Sequence, residues 1–223
     1  MTAPGSTDPG GGSEPLLSRV DHLVYGAPDL EKAVEILDRL LGVRAAAGGS
    51  HAGEGTRNAL LALGPSAYLE ILAPDPEQPA PPRPRWFGID ALRSPRLVAW
   101  AANESDLDGF AARARRDGIA LPQIVSGSRR RPDGSRLAWR FTDPHLLPEG
   151  SVLPFFLDWG DSPHPATSAP HGARLTGLRA EHPDAAGVRD ALSRLGVPLS
   201  VAETHRPALV ATIAGAKGEV ELR

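Results

Sequence analysis

The chain of 223 residues carries a net charge of −3 and a pI near 6.2, which argues against a nucleic-acid-binding surface, and no apolar run is long enough to span a bilayer. It contains no cysteine. Disulfides, thiolate metal sites and cysteine nucleophiles are thereby excluded, and any bound metal must be held by His, Asp, Glu and water, which favours Zn, Fe, Mn, Ni or Co. In chain order, residues 1–16 are polar and rich in Gly, Ser and Pro, without the basic start and apolar stretch of a signal peptide. They are expected to be a disordered tail, and a cytoplasmic location follows as an expectation.

Three segments then share one pattern. They are "RVDHLVYGAPDLEKAVEILDRLLGV", "RLVAWAANESDLDGFAARARRDGI" and "RLTGLRAEHPDAAGVRDALSRLGV". Each opens on Arg and an apolar strand-like run, passes a capping residue, continues as a helix of about three turns and stops at Gly. The predicted N-caps are Asp29, Ser105 and Asp184, and the predicted stops are Gly42, Gly118 and Gly196. Leu30, Val34, Leu37 and Leu41 form the apolar stripe of the first helix; Leu107, Phe110, Ala111 and Ala114 form that of the second; Val188, Leu192 and Leu195 form that of the third.

Strand-like runs follow each helix: "RAAAGGSH", "TRNALLALG" and "AYLEILAP"; then "PQIVSGSRR", "SRLAWRFT" and "VLPFFLDWG", with a "PDG" turn joining the first two; then "PLSVAE", "PALVATIAG" and "GEVELR". Each segment therefore reads βαβββ. The predicted units span 17–78, 96–162 and 174–223, separated by a Pro-rich linker at 79–95 and a second linker at 163–173.

These residues carry a resemblance to the vicinal oxygen chelate superfamily, the glyoxalase and extradiol dioxygenase group. His22 precedes the helix-capping Asp29 in "HLVYGAPDL", and "YLEIL" places Glu70 between apolar residues on the fourth strand of its unit. The run from "DHLVY" through "GGSHAGEGTRNALLALG" and "YLEILAPDP" to "LPFFLDWG" is similar to a glyoxalase-like group within it and covers nearly everything from Arg19 to Gly160. The resemblance implies an α+β fold in which repeated βαβββ units form curved, mostly antiparallel sheets around a cleft, with ligands on the first and fourth strands of a pair of units. The third, shorter unit would stack on the pair or mediate dimerisation. An odd number of units makes a homodimer an expectation.

A histidine between two valines is either a hydrogen-bonded core residue or a ligand. With Glu70 in a matched position, His22 and Glu70 are expected metal ligands, because a buried carboxylate needs a partner. In the second unit the matched positions are Ala99, which cannot ligate, and Asp158, expected as third ligand or acid/base group. His51, on a Gly-rich hairpin, is expected to complete the shell or move a proton, which makes Glu70, Asp158 and His51 the catalytic candidates. Asn58, Trp100, Trp139 and Arg140 are the expected substrate contacts, and Trp100, Trp139, Phe155 and Trp159 give the second unit an aromatic wall. The resulting reading is a glyoxalase-like, divalent-metal-dependent enzyme moving a proton beside a carbonyl of a small oxygenated substrate, as an isomerase or lyase. Ring cleavage is disfavoured by Ala99. The alternative is a non-catalytic small-molecule or drug-binding protein of the same fold. Neither nucleic acid nor membrane is expected as a partner.

Overall fold

The computed structural model describes residues 16–130, 134–148 and 150–223. Residues 1–15 of the expected tail at 1–16 and most of the "PDG" turn lie outside the described residues. Leu16 itself is buried in the core.

The first segment forms β1 (Val20–Gly26), α1 (Leu30–Leu41), β2 (Ala46–His51), β3 (Thr56–Ala62) and β4 (Tyr68–Pro74). The second forms β5 (Arg96–Asn103), α2 (Leu107–Arg116), β6 (Ile124–Arg130), β7 (Arg136–Thr142) and β8 (Phe155–Asp158). The Asp29 side chain accepts from the Lys32 N–H at the start of α1. Asp106, not Ser105, caps α2, because it stands directly before the first helical residue and accepts from the Gly109 N–H. Gly42, Gly118 and Gly196 all take positive φ where the helices stop.

The two segments build equivalent half-barrels. In each, the first strand runs parallel to the fourth, and the third and second strands follow antiparallel. The halves join where β1 pairs antiparallel with β5, and again through a single pair, Ser50 with Arg130, between β2 and β6. The result is a closed eight-stranded barrel in the order β1-β4-β3-β2-β6-β7-β8-β5. Alternation along the strands separates two environments. Leu23, Leu61, Leu69, Ile71, Trp100 and Phe156 face outward into the main core, whereas Val24, Ala99, Ala101, Phe141, Phe155 and Leu157 belong to a separate cluster.

The third segment forms β9 (Arg174–His182), α3 (Ala185–Arg194), β10 (Ser200–Glu203), β11 (Ala208–Gly215) and β12 (Gly218–Leu222). Its element order matches the other two, but its topology differs. β10 lies directly beside β9 in parallel, and the sheet runs β10-β9-β11-β12. Order along the chain does not fix which edge of the first strand is taken. Here Val197, Leu199 and Val201 bury with Ala180 and draw β10 against β9. The sheet packs on the outside of the barrel, with the apolar stripe of α1 and the sheet's Leu175, Leu209, Ala211 and Ile213 in one continuous core. Full burial of side chains such as Leu37, Leu41 and Ile213 contributes about 1.5–3 kcal/mol each. Backbone bonds from Leu97 N–H to Arg223 O and from Leu175 N–H to Leu63 O tie sheet and barrel together. Among the described residues no helix is long and apolar enough to cross a membrane.

Candidate active site in the barrel

The barrel encloses a half-open cavity of about 40 Å³. Its polar centre begins on β1. Strict alternation would turn Asp21 and His22 to opposite faces, but the pairing of β1 with β5 slips by one residue between Val20 and His22. This bulge places Val20 in the outer core and lets Asp21 bond to its own neighbour: His22 Nδ1 lies 2.6 Å from Asp21 Oδ1, and both residues are buried.

Asp21 Oδ2 also accepts from Trp159 Nε1 at 2.9 Å and lies 3.3 Å from His164 Nε2. His164 Nδ1 accepts from the Ala166 N–H, so its proton sits on Nε2 and points at Asp21. Burial opposes the Asp21 charge, but the hydrogen bonds from His164 and His22 outweigh it and hold this carboxyl below its ordinary range. An ionised Asp21 makes His22 Nδ1 the donor. His22 Nε2 is thereby turned to the cavity, 3.7 Å from Glu70 Oε2.

Glu70 projects inward from β4, while its neighbours Leu69 and Ile71 face the outer core. Asn58 on β3 is its diagonal cross-strand neighbour and donates Nδ2 to Glu70 Oε1 at 2.5 Å. The second imidazole comes from the end of β2. His51 Nδ1 meets Thr56 Oγ1 at 2.9 Å, and its Nε2 stands 3.8 Å from Glu70 Oε1. Burial pushes the His51 pKa down, and the Arg129 cation adds to this against the pull of Glu70, so the ring is neutral. A bulge in β2 before Gly49 makes room for the arrangement. A Cβ at Gly48 would sit 2.2 Å from Asn58 Oδ1, so only glycine lets Asn58 reach Glu70. The Gly48 carbonyl accepts from Arg129 Nη1 across the β2–β6 junction.

Aromatic rings complete the walls. Tyr68 stacks on His22 at 4.7 Å between centroids, and Phe155 meets His22 edge-on at 5.3 Å. Burial keeps the Tyr68 phenol protonated, its pKa well above the ordinary value. The Trp139 indole lies over Gly127, 2.5 Å from where a Cβ would stand. Trp86 meets His51 edge-on at 5.4 Å. Trp86 and Phe87 come from the predicted linker, which is a strap over the cavity rather than a spacer. Phe87 has φ of 59°, a strained left-handed value for a non-glycine residue, and Gly88 after it has 64°.

Of the expected site residues, His22, His51, Asn58, Glu70 and Trp139 are brought together here. Three are not. Trp100 faces the outer core and donates Nε1 to Val152 O. Arg140 pairs with Asp108 on the exterior at 2.9 and 3.1 Å. Asp158 is not among the cavity-lining residues and accepts from the Gly160 N–H. Its expected alignment with Glu70 fails on register. Val24 pairs with Glu70 in the first half as Ala101 pairs with Phe155 in the second, and the bonds Ala27 N–H to Leu72 O and Glu104 N–H to Leu157 O repeat the match. Phe155, not Asp158, is the counterpart of Glu70, and an odd offset of three turns a strand residue to the opposite face. Asp21, Tyr68, Trp86, Arg129 and His164 were not anticipated. The one available signal was two adjacent polar residues, Asp21 and His22, in an otherwise apolar strand.

The donor set fits a divalent metal in kind. Two imidazoles are each held at Nδ1 and present Nε2 on the side of one carboxylate, 3.7 and 3.8 Å away, with Asn58 Nδ2 also 3.5 Å from His51 Nε2; a hold at Nδ1 is the pattern that supporting contacts impose on metal-binding histidines. As placed, no group of three or more His, Asp or Glu among the described residues is gathered tightly enough to hold an ion.

Comparison with known proteins agrees with this architecture. The family model of the glyoxalase-like domain matches residues 20–196. A hypothetical protein from Staphylococcus aureus is similar in structure at 11% identity and a TM-score of 0.63, over 91% of this chain and 83% of that one. Methylmalonyl-CoA epimerase from Mycobacterium tuberculosis matches at 27% identity and a TM-score of 0.43, over 65% of this chain and 90% of its own. The Streptomyces coelicolor methylmalonyl-CoA epimerase in complex with 2-nitronate-propionyl-CoA matches at 23% identity and a TM-score of 0.42, over 64% and 97%. No curated protein matches the chain. With more than half of its length matched by the family model, the chain belongs to the glyoxalase-like domain family of the vicinal oxygen chelate superfamily.

Proposed function

We propose that this protein is a divalent-metal-dependent enzyme that moves a proton next to the carbonyl of a small oxygenated substrate, with isomerase or lyase chemistry. The observation that carries this reading is the convergence of His22 Nε2 and His51 Nε2 on the two oxygens of the buried Glu70, inside an aromatic cavity. His22, His51 and Glu70 would hold the metal, which when bound supplies Lewis-acid polarisation of the substrate oxygen. The chain's own groups do the rest. Asp21 fixes the His22 tautomer and Thr56 orients His51. Asn58 holds one oxygen of Glu70, leaving the other on the His22 side. Glu70 Oε2, the oxygen that Asn58 does not hold, can take a proton from a carbon acid beside it. Trp139, Phe155 and the strap residue Phe87 exclude water around the apolar part of the substrate.

The test is solvent deuterium exchange into small hydroxy-carbonyl and 2-oxo compounds, followed by NMR with divalent metals supplied. Wild type is expected to exchange the proton beside the carbonyl, and Glu70→Gln to lose about 10²-fold or more. Absence of exchange across the panel in wild type would overturn the reading. A second reading, a non-catalytic binding protein, is favoured by one observation: the second half offers Ala99 and Phe155 where a paired ligand set would need donors. It predicts saturable ligand binding without exchange.

A further inference from the structure

The cavity of about 40 Å³ has room for little more than a water molecule, whereas sites for small organic molecules span roughly 300 Å³ or more. Part of its wall must therefore move when such a molecule enters. Most of the wall comes from strands of the closed barrel, which cannot swing outward without breaking ladder bonds. Trp86 and Phe87 come instead from the strap, which pairs with no strand. Two features load this strap against its closed position. Phe87 and Gly88 both hold positive φ, 59° and 64°, a conformation that costs a phenylalanine steric energy. The Trp86 Nε1–H is buried with no hydrogen-bond partner, a cost that water removes once the ring is exposed. Contacts with the β2–β3 hairpin act against both. Glu54 on that hairpin accepts from Arg83 Nη2 at 2.7 Å and lies 3.1 Å from His145 Nε2 in the turn Pro144–Leu146. The next residue, Gly55, accepts at its carbonyl from Arg85 Nε at 2.6 Å. A Cβ at Gly55 would stand 2.8 Å from Pro81 Cδ, so the strap lies directly on the hairpin.

We propose that the strap is a lid: Glu54 latches it shut through Arg83, the Phe87–Gly88 turn is its hinge, and small organic molecules reach the cavity when it opens. Ile89 and Leu92, buried in the inner cluster, anchor its far end, so the moving part is the short run from Arg83 to Gly88. Release of the Glu54 contacts lets the turn relax to ordinary φ and carries Trp86 away from His51, and the Phe87 ring away from Phe155, where the centroids now lie 5.7 Å apart. Opening of this kind is a local transition that leaves the barrel pairing intact. It concerns access alone and is independent of which reaction, if any, the site performs.

The absence of cysteine allows a direct test. Leu157 is 3% exposed and lines the cavity, so Leu157→Cys, checked for folding by circular dichroism, places a single thiol behind the strap. Its reaction with 5,5′-dithiobis(2-nitrobenzoate) is followed by absorbance, in buffer and in urea up to about 1 M. The thiol is expected to react about 100-fold or more slowly than in the denatured protein, at a rate that low urea does not change, because little surface is exposed by a local opening. Glu54→Gln in the same background removes the charge from the latch and is expected to raise the rate about tenfold. Gly88→Ala penalises the closed turn and is expected to raise it about fivefold. Arg140→Gln, a surface ion-pair control, is expected to leave it unchanged. Labelling as fast as in the denatured protein would show that nothing covers the cavity and would overturn the lid. So would a rate that climbs with urea from the lowest concentrations, the mark of exposure through global unfolding, and so would a rate that Glu54→Gln or Gly88→Ala leaves unchanged. The readout needs neither metal nor turnover, so failure of the proton-transfer reading leaves this test intact, and failure of the lid leaves that reading intact.

Discussion

The two half-barrels have the same strand order and opposite chemistry. The first turns His22, His51, Asn58 and Glu70 into the cavity, with Asp21 bonded behind His22 and Asn58 bridging Glu70 and His51. The second places Ala99 and Phe155 at the positions of His22 and Glu70 and adds Trp139, Phe141 and Trp159. The difference teaches how a duplicated topology supports a site. One half bears the cost of burying ionisable groups, and the other excludes water, which strengthens every electrostatic interaction facing it. Arg129 crosses the division, a cation from the second half bonded to the backbone of the first, and Trp159 crosses it by donating to Asp21.

The largest expected effect comes from erasing the difference. Phe155→Glu would restore a carboxylate opposite Glu70, 5.3 Å from His22 where the Phe155 ring now sits. It removes a buried aromatic and adds a like charge, so thermal unfolding should show a loss of about 3–5 kcal/mol. Added Zn should recover part of that loss, because the new carboxylate gains a cation to face.

Asp21→Asn comes next. It keeps the shape and removes the charge that holds His22, Trp159 and His164, and should cost about 2–3 kcal/mol in denaturant titration. It should also slow the exchange reaction, because the amide no longer fixes the His22 tautomer.

A smaller effect is set by His51. Its pKa is lowered in the folded state, so as pH falls below 6.5 the unfolded chain takes up a proton that the native chain refuses. Stability of the metal-free protein should therefore decline as pH drops from 6.5, and His51→Gln should flatten that decline. Asp21 acts in a lower window with the same sign. Its carboxylate, depressed from 3.8, contributes stability that is lost as pH falls through its folded value.

The smallest effect is a control on the register argument. Asp158→Asn and Arg140→Gln lie outside the cavity, so both should leave metal binding at wild-type levels in titration calorimetry. A loss in Asp158→Asn would restore it as a ligand and contradict the equivalence of Glu70 with Phe155.

Much of this molecule is legible along the chain. The caps Asp29 and Asp184, the apolar stripe of α1 and the place of Glu70 between Leu69 and Ile71 are local patterns, and local physics produces them. What escaped reading is set by pairing between distant strands. The β1 bulge that brings Asp21 to His22 exists only against β5. The three-residue error at Asp158 arose because the loop before β8 is longer than its counterpart, and sequence spacing carries no register across it. Arg129 sat in an arginine run that resembled a solvated hairpin tip, and its burial depends on closure of β6 against β2. The strap at Trp86 had the composition of a linker, and only its packing over His51 gives it a role.

The central claim is that His22, His51 and Glu70 form one metal-binding centre carried by the first half of the barrel. Calorimetric titration of Zn and Co into wild type, Glu70→Gln and His51→Gln tests it most directly. The account predicts one saturable site per chain in wild type, weakened about tenfold or more in each variant. No saturable binding in wild type, or binding that both variants retain, would contradict it.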